Sequence, residues 1–298
     1  MAQAILVCAP NVSEGRDRRL VERFAEAIRS VPGVHLADLH MDPDHHRSVF
    51  TLLGSPHPVE AAALALTEIV LASIDMREHR GVHPRIGALD VLPFVPLRGI
   101  PMDEAVALAR RVGRTLGERF DLPVYFYGKA ARRPERERLV EIRRGEYEGL
   151  AEKLADPAWR PDAGPARFNP RSGATAVGAR EILIAFNVWL NTNQVEVARD
   201  IARALRESSG GLPGVQAMGV PLARRGIVQV SVNLLDHRRT SLPRVFDRAR
   251  SEATRLGVEV MRSELVGLAP REAFEGRSPE SVGLPDFTLE KLLETHLP

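Results

Sequence analysis

The chain has 298 residues, of which 44% are hydrophobic and 27% are charged. This length allows one large core or two ordinary domains. The near balance of 41 basic and 39 acidic residues excludes a disordered polyelectrolyte and gives no argument for nucleic-acid binding. Cys8 is the only cysteine, which excludes an internal disulfide framework and a cysteine-based zinc site. No apolar run approaches ~18 residues and the N-terminus lacks a signal-peptide pattern, so we expect a soluble, cytoplasmic protein that does not enter a membrane.

The N-terminal third of the chain predicts the element order β-α-β-β-α-β. Short apolar, β-branched runs indicate strands, and apolar residues at helical spacing, such as Leu20, Phe24 and Ile28, indicate helices. Pro32 and Gly33 end the first helix. The predicted strands cover residues 4–9, 34–40, 47–53 and 87–97, and the predicted helices cover residues 16–30 and 56–74.

The middle of the chain changes character after a further helix, a strand and a charged helical region. These three elements are predicted over residues 103–119, 124–127 and 133–154. Between residues 156 and 178, prolines alternate with glycines, a pattern that indicates a loop. A loop of this length is usually a linker or a functional lid.

The remaining sequence repeats the order β-α-β-β-α-β. Strands are predicted over residues 182–190, 214–221, 227–234 and 258–266, and helices over residues 194–206 and 243–256. Units of this order form an antiparallel sheet that helices cover on one face. We therefore predict an α+β protein with two tandem ferredoxin-like βαββαβ subdomains, residues 1–178 and 179–298, and a ligand cleft between them. A bare sheet face on each subdomain also favours a homodimer.

Histidine is the most informative residue type, because most of the nine histidines lie between residues 35 and 83. One group, within residues 38–47, alternates imidazoles with carboxylates on the loop between two predicted strands. A second group, within residues 75–90, joins a helix end to a strand start. In a βαββαβ unit these two loops can lie close together at one edge of the sheet.

Two kinds of chemistry fit these histidines. An imidazole with a pKa near ~6.5 can take a proton from an amine and return it to a leaving amine, while arginines hold carboxylates through paired hydrogen bonds. Alternatively, His79 and His83 stand four residues apart and, with neighbouring aspartates, could bind a metal. Gly81 and Pro84 argue against a helix there, so the spacing lacks the geometry of a helical metal site.

A further polar cluster, residues 11–15, follows the first predicted strand. Ser13 or Asp17 can cap the next helix. As an alternative, Asn11 and Glu14 can contact a polar heterocycle. The chain lacks the glycine-rich phosphate loops of nucleotide-binding proteins, so nucleotide binding through such loops is not indicated.

Several longer motifs together resemble one enzyme family over residues 5–270. They are Ala9-Pro10-Asn11-Val12-Ser13-Glu14-Gly15, Ile74-Asp75-Met76-Arg77, His83-Pro84-Arg85-Ile86-Gly87-Ala88-Leu89-Asp90, Arg144-Gly145-Glu146-Tyr147-Glu148, Gly164-Pro165, Gly173-Ala174-Thr175, Gly178-Ala179-Arg180 and Val232-Asn233-Leu234-Leu235-Asp236. On these residues the chain resembles the glutamate formimidoyltransferase family. The resemblance implies transfer of a formimino group from N-formimino-L-glutamate to N5 of tetrahydrofolate as co-substrate, with release of glutamate and with no metal required.

The resemblance also implies roles for particular residues. The catalytic histidine of the family falls on His83. His40 stands where animal members have an aspartate, so we expect that His40 or one of the nearby carboxylates assists His83; these carboxylates are Asp38, Asp42 and Asp44. From the chemistry of the side chains, and not from the resemblance, we expect substrate contacts at Asn11, Glu14, Arg47 and Arg85, with Arg98 as a further candidate, because guanidinium groups match the glutamyl carboxylates. The folate-binding segment of the family falls on Gly164, Pro165, Ala166, Arg167, Phe168, Asn169, Pro170, Arg171, Ser172 and Gly173.

The family includes animal enzymes that carry a second, cyclodeaminase domain. The present chain has no room for it, so we expect a stand-alone form whose product a separate cyclodeaminase consumes. Three alternatives stay open at this point: formyl transfer in the same site, a His/Asp metal-dependent amidohydrolase, and a folate-binding module without turnover.

Overall fold

A computed structural model describes residues 4–297 of the chain. The chain divides into two compact units between Arg180 and Glu181. Each unit contains one β-sheet and α-helices, so the protein belongs to the mixed α+β class. No helix in the described part of the chain is long and apolar enough to cross a membrane.

The sheet of the first unit begins with an interrupted strand. The elements in chain order are β1 (Ile5–Cys8), β2 (Asn11–Val12), α1 (Arg18–Arg29), β3 (Val34–Asp42), β4 (Arg47–Gly54), α2 (Pro56–Ser73), β5 (Leu89–Arg98), α3 (Met102–Phe120), β6 (Val124–Gly128), α4 (Leu139–Arg143), α5 (Leu150–Ala155) and β7 (Thr175–Ala179). Both parts of the interrupted strand, β1 and β2, pair antiparallel with β4 and with β5. From edge to edge the sheet therefore runs β3, β4, β1 and β2, β5, β7, β6.

Three helices cover one face of this sheet. Phe24 of α1, Leu66 of α2 and Leu116 of α3 are fully buried in the same core. Phe50 of β4 and Phe94 of β5 meet them from the sheet. Burial of each such side chain contributes about 1.5–3 kcal/mol, so this face supplies much of the unit's stability.

The start of α1 settles which residue caps it. Asp17 is the N-cap, and its Oδ1 accepts the backbone N–H groups of Arg19 and Leu20 at 2.9 and 3.1 Å. Ser13, the other candidate, instead donates its hydroxyl to the carbonyl oxygen of Gly87 at 2.7 Å. Ser13 thus ties β2 to the segment that precedes β5.

The predicted antiparallel sheet is wrong for the outer part of the first unit. β7 lies between β5 and β6 and runs parallel to both. β5 and β6 run in the same direction because α3 crosses over between them, and residues 129–174 form the crossover that lets β7 pair parallel with both. The β-α-β-β-α-β pattern ends at β5 and therefore contains no information on these two additional strands.

The predicted loop 156–178 is wrong at both ends. Pro157–Trp159 forms a turn of 3-10 helix, and the last residues belong to β7. Gly178 lies inside that strand, and the ring of Tyr127 packs over it. A Cβ atom at this position would lie 2.5 Å from Cδ1 of Tyr127, so only glycine fits. The glycine that indicated a loop is therefore required by close packing within the sheet.

The charged region predicted as helix over 133–154 forms two short helices, α4 and α5, instead of one. Gly145 and Glu146 separate them with positive φ angles of 85° and 55°. Two successive left-handed residues cannot continue a right-handed helix, so the chain turns sharply there.

The second unit forms an antiparallel sheet with two helices on one face. Its elements are β8 (Ile184–Leu190), α6 (Val195–Leu205), β9 (Val215–Leu222), β10 (Ile227–Leu234), α7 (Leu242–Arg255) and β11 (Val260–Val266). The strand order is β11-β8-β10-β9. Alternate residues of β8, Ile184, Phe186, Val188 and Leu190, are fully buried against the helices.

The two units share one strand arrangement. In each, the four strands of the repeat lie in the spatial order fourth, first, third, second. The order holds in the first unit when β1 and β2 are taken as one strand. The repeat that the sequence predicts is therefore present in the fold.

Candidate active site

Two loops that the sequence marks by their histidines meet in the first unit. Gly81 packs against the backbone of His45, where any Cβ on Gly81 would clash with the His45 carbonyl oxygen. The backbone N–H of Val82 donates to the carbonyl oxygen of Asp44 at 3.3 Å. The ring centroids of His45 and His83 lie 5.5 Å apart. The loops thus form one histidine cluster, which consists of His45, His46, His79 and His83.

His83 is oriented by its own neighbour. Its Nδ1 lies 2.8 Å from the carbonyl oxygen of Pro84. Because a carbonyl oxygen only accepts, Nδ1 carries the proton and Nε2 keeps its lone pair. Burial lowers the pKa of His83 well below its usual value, and the charges of Arg47 and Arg143 lower it further. At neutral pH the ring is therefore an uncharged imidazole with a proton acceptor at Nε2.

The two arginines that act on His83 share one buried carboxylate, that of Asp90 at the start of β5. Asp90 Oδ2 accepts from Arg47 Nη1 at 2.7 Å and from Arg143 Nη2. Its Oδ1 accepts the backbone N–H of Ile86 at 2.9 Å. Arg47 also donates to Asn11 Oδ1, from Nε at 3.0 Å and from Nη2. Asn11 therefore positions Arg47.

This arrangement contains more positive than negative charge. Burial raises the pKa of Asp90, but the charges of Arg143 and Arg47 outweigh it and hold that pKa below its usual value. Burial lowers the pKa of Arg47 to about 10, with Asp90 opposing and Arg143 adding to the effect. Asp90 and Arg47 therefore stay ionised at neutral pH, and one carboxylate faces two guanidinium groups.

His79 and His46 form the second half of the histidine cluster. Their rings stack with centroids 4.2 Å apart and planes inclined by 9°. His79 Nε2 donates to the carbonyl oxygen of His46 at 2.8 Å, and its Nδ1 accepts from Arg85 Nε at 3.2 Å. Burial lowers the pKa of His79 to about 4, so this ring is a neutral structural link.

Arg85 is occupied by carboxylates of the protein itself. It donates to both oxygens of Glu148, at 2.7 and 2.6 Å, and to Glu146 at 3.2 Å. Its guanidinium carbon lies 5.8 Å from the ring centroid of Tyr147. A substrate carboxylate would have to displace these partners, so the contacts favour a role for Arg85 in holding the 79–85 segment.

Glu14 lies at the N-terminus of α1 and faces the histidine cluster. Its Oε1 accepts the backbone N–H groups of Arg16 and Asp17 at 2.7 and 3.0 Å, and lies 3.3 Å from Nε2 of His46. Burial raises the pKa of Glu14, but these hydrogen bonds outweigh it and lower the pKa to about 2. Glu14 is therefore a fixed carboxylate.

Asp38 and His40 lie on β3, at the edge of the sheet. Asp38 is opposite Thr51, and His40 is opposite Val49 on β4. Val49 is also opposite Asn11, so His40 and Asn11 are separated by two strand spacings, about 10 Å. Asp38 and His40, two of the four predicted assistants of His83, thus lie on the sheet and are not part of the histidine cluster.

Arg98 is remote from these groups. It ends β5, whereas Asp90 stands near the start of the same strand. At the usual rise per residue the two positions are about 25 Å apart. The structure does not bring Arg98 to the histidine cluster.

The predicted folate-binding segment, residues 164–173, is attached to the segment that carries His83. The carbonyl oxygen of Arg171 accepts the backbone N–H of Met76 at 2.9 Å. The carbonyl oxygen of Ser172 accepts the backbone N–H of Ala88, also at 2.9 Å. These bonds fix the C-terminal end of the 164–173 segment on both sides of the histidine loop.

Tyr147 makes a third attachment to the same segment. Its hydroxyl donates to the carbonyl oxygen of Pro170 at 2.5 Å, and its ring centroid lies 5.5 Å from that of Phe168. The exposed residues of the segment are Gly164, Ala166, Arg167, Pro170 and Arg171. The segment is therefore tied to its neighbours near its C-terminal end, although several of its residues are exposed.

Asp90, Arg143 and His45 are the residues of this site that sequence reasoning missed. Asp90 carried a signal, because it is an acidic residue in the buried, apolar run of β5. His45 belongs to the first histidine group but has no feature that separates it from His46. Arg143 lies in a charged run of an arginine-rich chain and carries no distinguishing signal.

Comparison with known proteins adds an independent line of evidence. Residues 5–180 match the model of the formiminotransferase domain, N-terminal subdomain, and residues 185–277 match the model of the formiminotransferase domain. The glutamate formimidoyltransferase of Streptococcus pyogenes serotype M1 is 41% identical over 98% of this chain and 98% of its own. That of Thermoplasma acidophilum is 44% identical over 98% of this chain and 96% of its own.

A bifunctional relative shows the same correspondence over part of its length. The formimidoyltransferase-cyclodeaminase of Rattus norvegicus is 45% identical over 90% of this chain and 51% of its own. Two domain models matched in order, together with near full-length similarity to two stand-alone enzymes, show that the chain belongs to the glutamate formimidoyltransferase family.

Proposed function

We propose that the protein transfers the formimino group of N-formimino-L-glutamate to N5 of tetrahydrofolate and releases L-glutamate, with His83 as general acid and base. The observation that carries this proposal is a neutral imidazole, with Nε2 as acceptor, beside a buried excess of positive charge. The names of the relatives favour this reaction over formyl transfer and over a metal-dependent amidohydrolase.

His83 carries the proton through the reaction. N5 of tetrahydrofolate attacks the amidinium carbon of the donor, which forms a tetrahedral centre and leaves N5 positively charged. Nε2 of His83 takes the N5 proton and gives it to the departing glutamate nitrogen, whose bond to carbon breaks as the remaining nitrogen re-forms the C=N bond. Hydrogen atoms and charge balance without an oxidant or a metal.

A low pKa suits His83 to both steps. The proton on a positively charged N5 is acidic, so a weakly basic imidazole can accept it. The imidazolium formed is then a stronger acid than an ordinary histidine and protonates the leaving nitrogen readily. The burial and the arginine charges that lower the pKa of His83 therefore favour the second step without preventing the first.

The charge of the three buried groups at Asp90 complements the donor. Formiminoglutamate carries two carboxylates and one amidinium, a net charge of −1, and Arg47, Arg143 and Asp90 together carry +1. A buried charge without a partner is costly, so an anionic substrate is favoured where the protein leaves a positive charge unbalanced. This complementarity supports an acidic amino acid as the donor.

We assign tetrahydrofolate to residues 164–173. Support comes from the attachment of this segment to residues 75–90, which carry His83. Phe168 and Tyr147 form a ring contact at this attachment, and aromatic side chains of this kind can pack against a pterin. Holding both substrates beside one imidazole removes a bimolecular encounter, which supplies the rest of the rate enhancement.

The other predicted residues are assigned to supporting roles. Asn11 and Arg85 hold Arg47 and the 79–85 segment in place. Glu14 holds the ring of His46. Asp38 and His40 stay predictions as assistants of His83. The ferredoxin-like description of each unit is supported by its strand order and by its helix-covered face.

The direct test replaces His83 by alanine. We expect a fall in turnover of about 10²–10⁴-fold, with binding of tetrahydrofolate retained, because only proton transfer is removed. The matched control is His57→Ala, an exposed histidine on α2. Turnover of His83→Ala close to that of the wild type would remove His83 from the mechanism.

A donor comparison tests the reaction itself. The wild-type protein is assayed with formiminoglutamate and with formylglutamate, each with tetrahydrofolate, and the folate product is identified by its absorbance. Turnover of the formyl donor alone would replace the proposed reaction. The cytoplasmic location, the homodimer and the separate cyclodeaminase stay predictions.

A further inference from the structure

Arg143 and Arg47 use their guanidinium groups differently, although both bind Asp90. Every nitrogen of the Arg47 guanidinium donates to Asn11 or Asp90. Arg143 donates from Nη2 to Asp90, while its Nε is buried and has no hydrogen-bond partner among residues 4–297. Arg143 therefore has one buried guanidinium N–H, at Nε, without an acceptor, whereas Arg47 has none.

The vacant donor lies where the protein also lacks a counter-charge. Asp90 is a single carboxylate shared by two guanidinium groups whose side chains are 11% and 13% exposed. A buried N–H without an acceptor and a buried charge without a partner both cost free energy. A carboxylate that accepts from Nε relieves both costs, because it supplies an acceptor and a negative charge.

We infer that Arg143 binds a carboxylate of the amino-acid donor and thereby makes the site specific for an acidic donor. The inference rests on the proposed function, which supplies the donor. The sequence led us to expect that Arg47 contacts the substrate. In this inference Arg47 instead holds Asp90 and Asn11 together, and Arg143 contacts the substrate.

The position of Arg143 in α4 allows a matched control. Ile142, the residue before it, is fully buried and anchors the helix in the core that contains Tyr125 and Tyr127. Arg144, the residue after it, is exposed and pairs with Glu141 at 2.6 Å. Two consecutive arginines thus differ in direction, one towards Asp90 and one towards solvent.

The test is Arg143→Met, which removes the charge and keeps an unbranched side chain. Arg47 and Asp90 then form a balanced pair, so the substitution leaves no buried charge without a partner and the fold should persist. We expect the KM for formiminoglutamate to rise about 10- to 150-fold, the effect of losing a hydrogen bond to a charged group. The KM for tetrahydrofolate should change by less than about twofold.

Two further variants control this result. Arg144→Met should leave both KM values unchanged. Arg143→Lys keeps the charge and loses the paired donors, so its KM for the donor should lie between those of the wild type and Arg143→Met. An equal rise in both KM values, or the same rise in Arg144→Met, would indicate a structural effect and overturn the inference.

A binding experiment separates this inference from the proposed function. Glutarate, a dicarboxylate without an amine, is titrated calorimetrically into the wild type and into Arg143→Met. Binding by the wild type that Arg143→Met weakens about tenfold or more supports a carboxylate site at Arg143, even if formiminoglutamate is not turned over. A wild-type enzyme that transfers the formimino group, with Arg143→Met equally active and equally able to bind glutarate, overturns the inference and leaves the proposed function intact.

Discussion

Replacement of Asp90 by asparagine tests the buried charge balance of the site. Asparagine keeps the shape of the side chain and can still accept the backbone N–H of Ile86 through an oxygen. It removes the only negative charge that Arg47 and Arg143 share. The variant therefore isolates the electrostatic contribution of the carboxylate.

The expected cost follows from the burial of the three groups. Removing one partner of a buried ion pair typically costs about 3–5 kcal/mol, because the remaining charge stays in the interior. Both arginines keep slight contact with solvent, at 11% and 13% exposure, so we expect a value near about 3 kcal/mol. For a unit of this size that corresponds to a fall in Tm of about 6–12 °C.

The assay is urea unfolding followed by circular dichroism, with Asp247→Asn as the matched control. Asp247 also binds two arginines, Arg250 and Arg277, but its side chain is 43% exposed. We expect its replacement to cost about 0–1 kcal/mol, as for surface ion pairs. The two aspartates lie in different units, which can unfold in separate transitions. For each variant, the free energy of unfolding is therefore compared with that of the wild type for the transition that the substitution shifts.

A double variant sharpens the test. In Asp90→Asn with Arg143→Met, only Arg47 remains without a counter-charge, so part of the lost stability should return. If Asp90→Asn costs no more than Asp247→Asn, the three groups do not form a buried charge cluster and the reasoning on the site fails.

Three other predictions concern the histidine cluster. The pKa of His83 lies below 6.5, and the ring must be neutral to act as the base. We therefore expect kcat/KM to stay level as the pH falls to about 6.5 and to decline only below it. A decline of kcat/KM that begins at a higher pH would contradict this. The pKa of Glu14 is about 2 in the folded protein and 4.5 in the unfolded chain, so the stabilisation by its carboxylate is complete above pH 4.5 and is lost as the pH falls towards 2. The difference in unfolding free energy between the wild type and Glu14→Gln should therefore shrink in acid. Gly81→Ala should push the two histidine loops apart and reduce kcat/KM by about 100-fold with the far-UV circular dichroism retained. Gly226→Ala, which meets no neighbouring atom but strains a backbone with a φ of 66°, should lower stability and leave kcat/KM unchanged.

The elements of the repeat could be predicted from sequence because their signals are local. Apolar residues at helical spacing in α1 and alternating ones in β8 both face a core, and the predicted ranges agree with the observed elements within a few residues. β7 could not be predicted, because its residues are small and include Gly178. Its place in the sheet depends on the ring of Tyr127, about fifty residues away in sequence, and no local pattern reports such a contact.

The site was predictable only in part, for a related reason. The histidines could be selected as candidates because imidazoles are uncommon and occur close together in this chain. Arginines are abundant, so sequence could not distinguish Arg143 at Asp90 from its neighbour Arg144 in solvent. Arg85 was expected to meet a substrate carboxylate, but its partners Glu146 and Glu148 come from a turn that needs two left-handed residues, which composition does not reveal.

The position of β7 constrains how the first unit assembles. β5 and β6 are complete by Gly128, yet they do not pair with each other, and the strand that joins them is made of residues 175–179. Without those residues, β5 and β6 would lie two strand spacings, about 10 Å, apart. A chain shortened to end before Thr175 would therefore expose two strand edges, so the sheet of the first unit depends on its last strand.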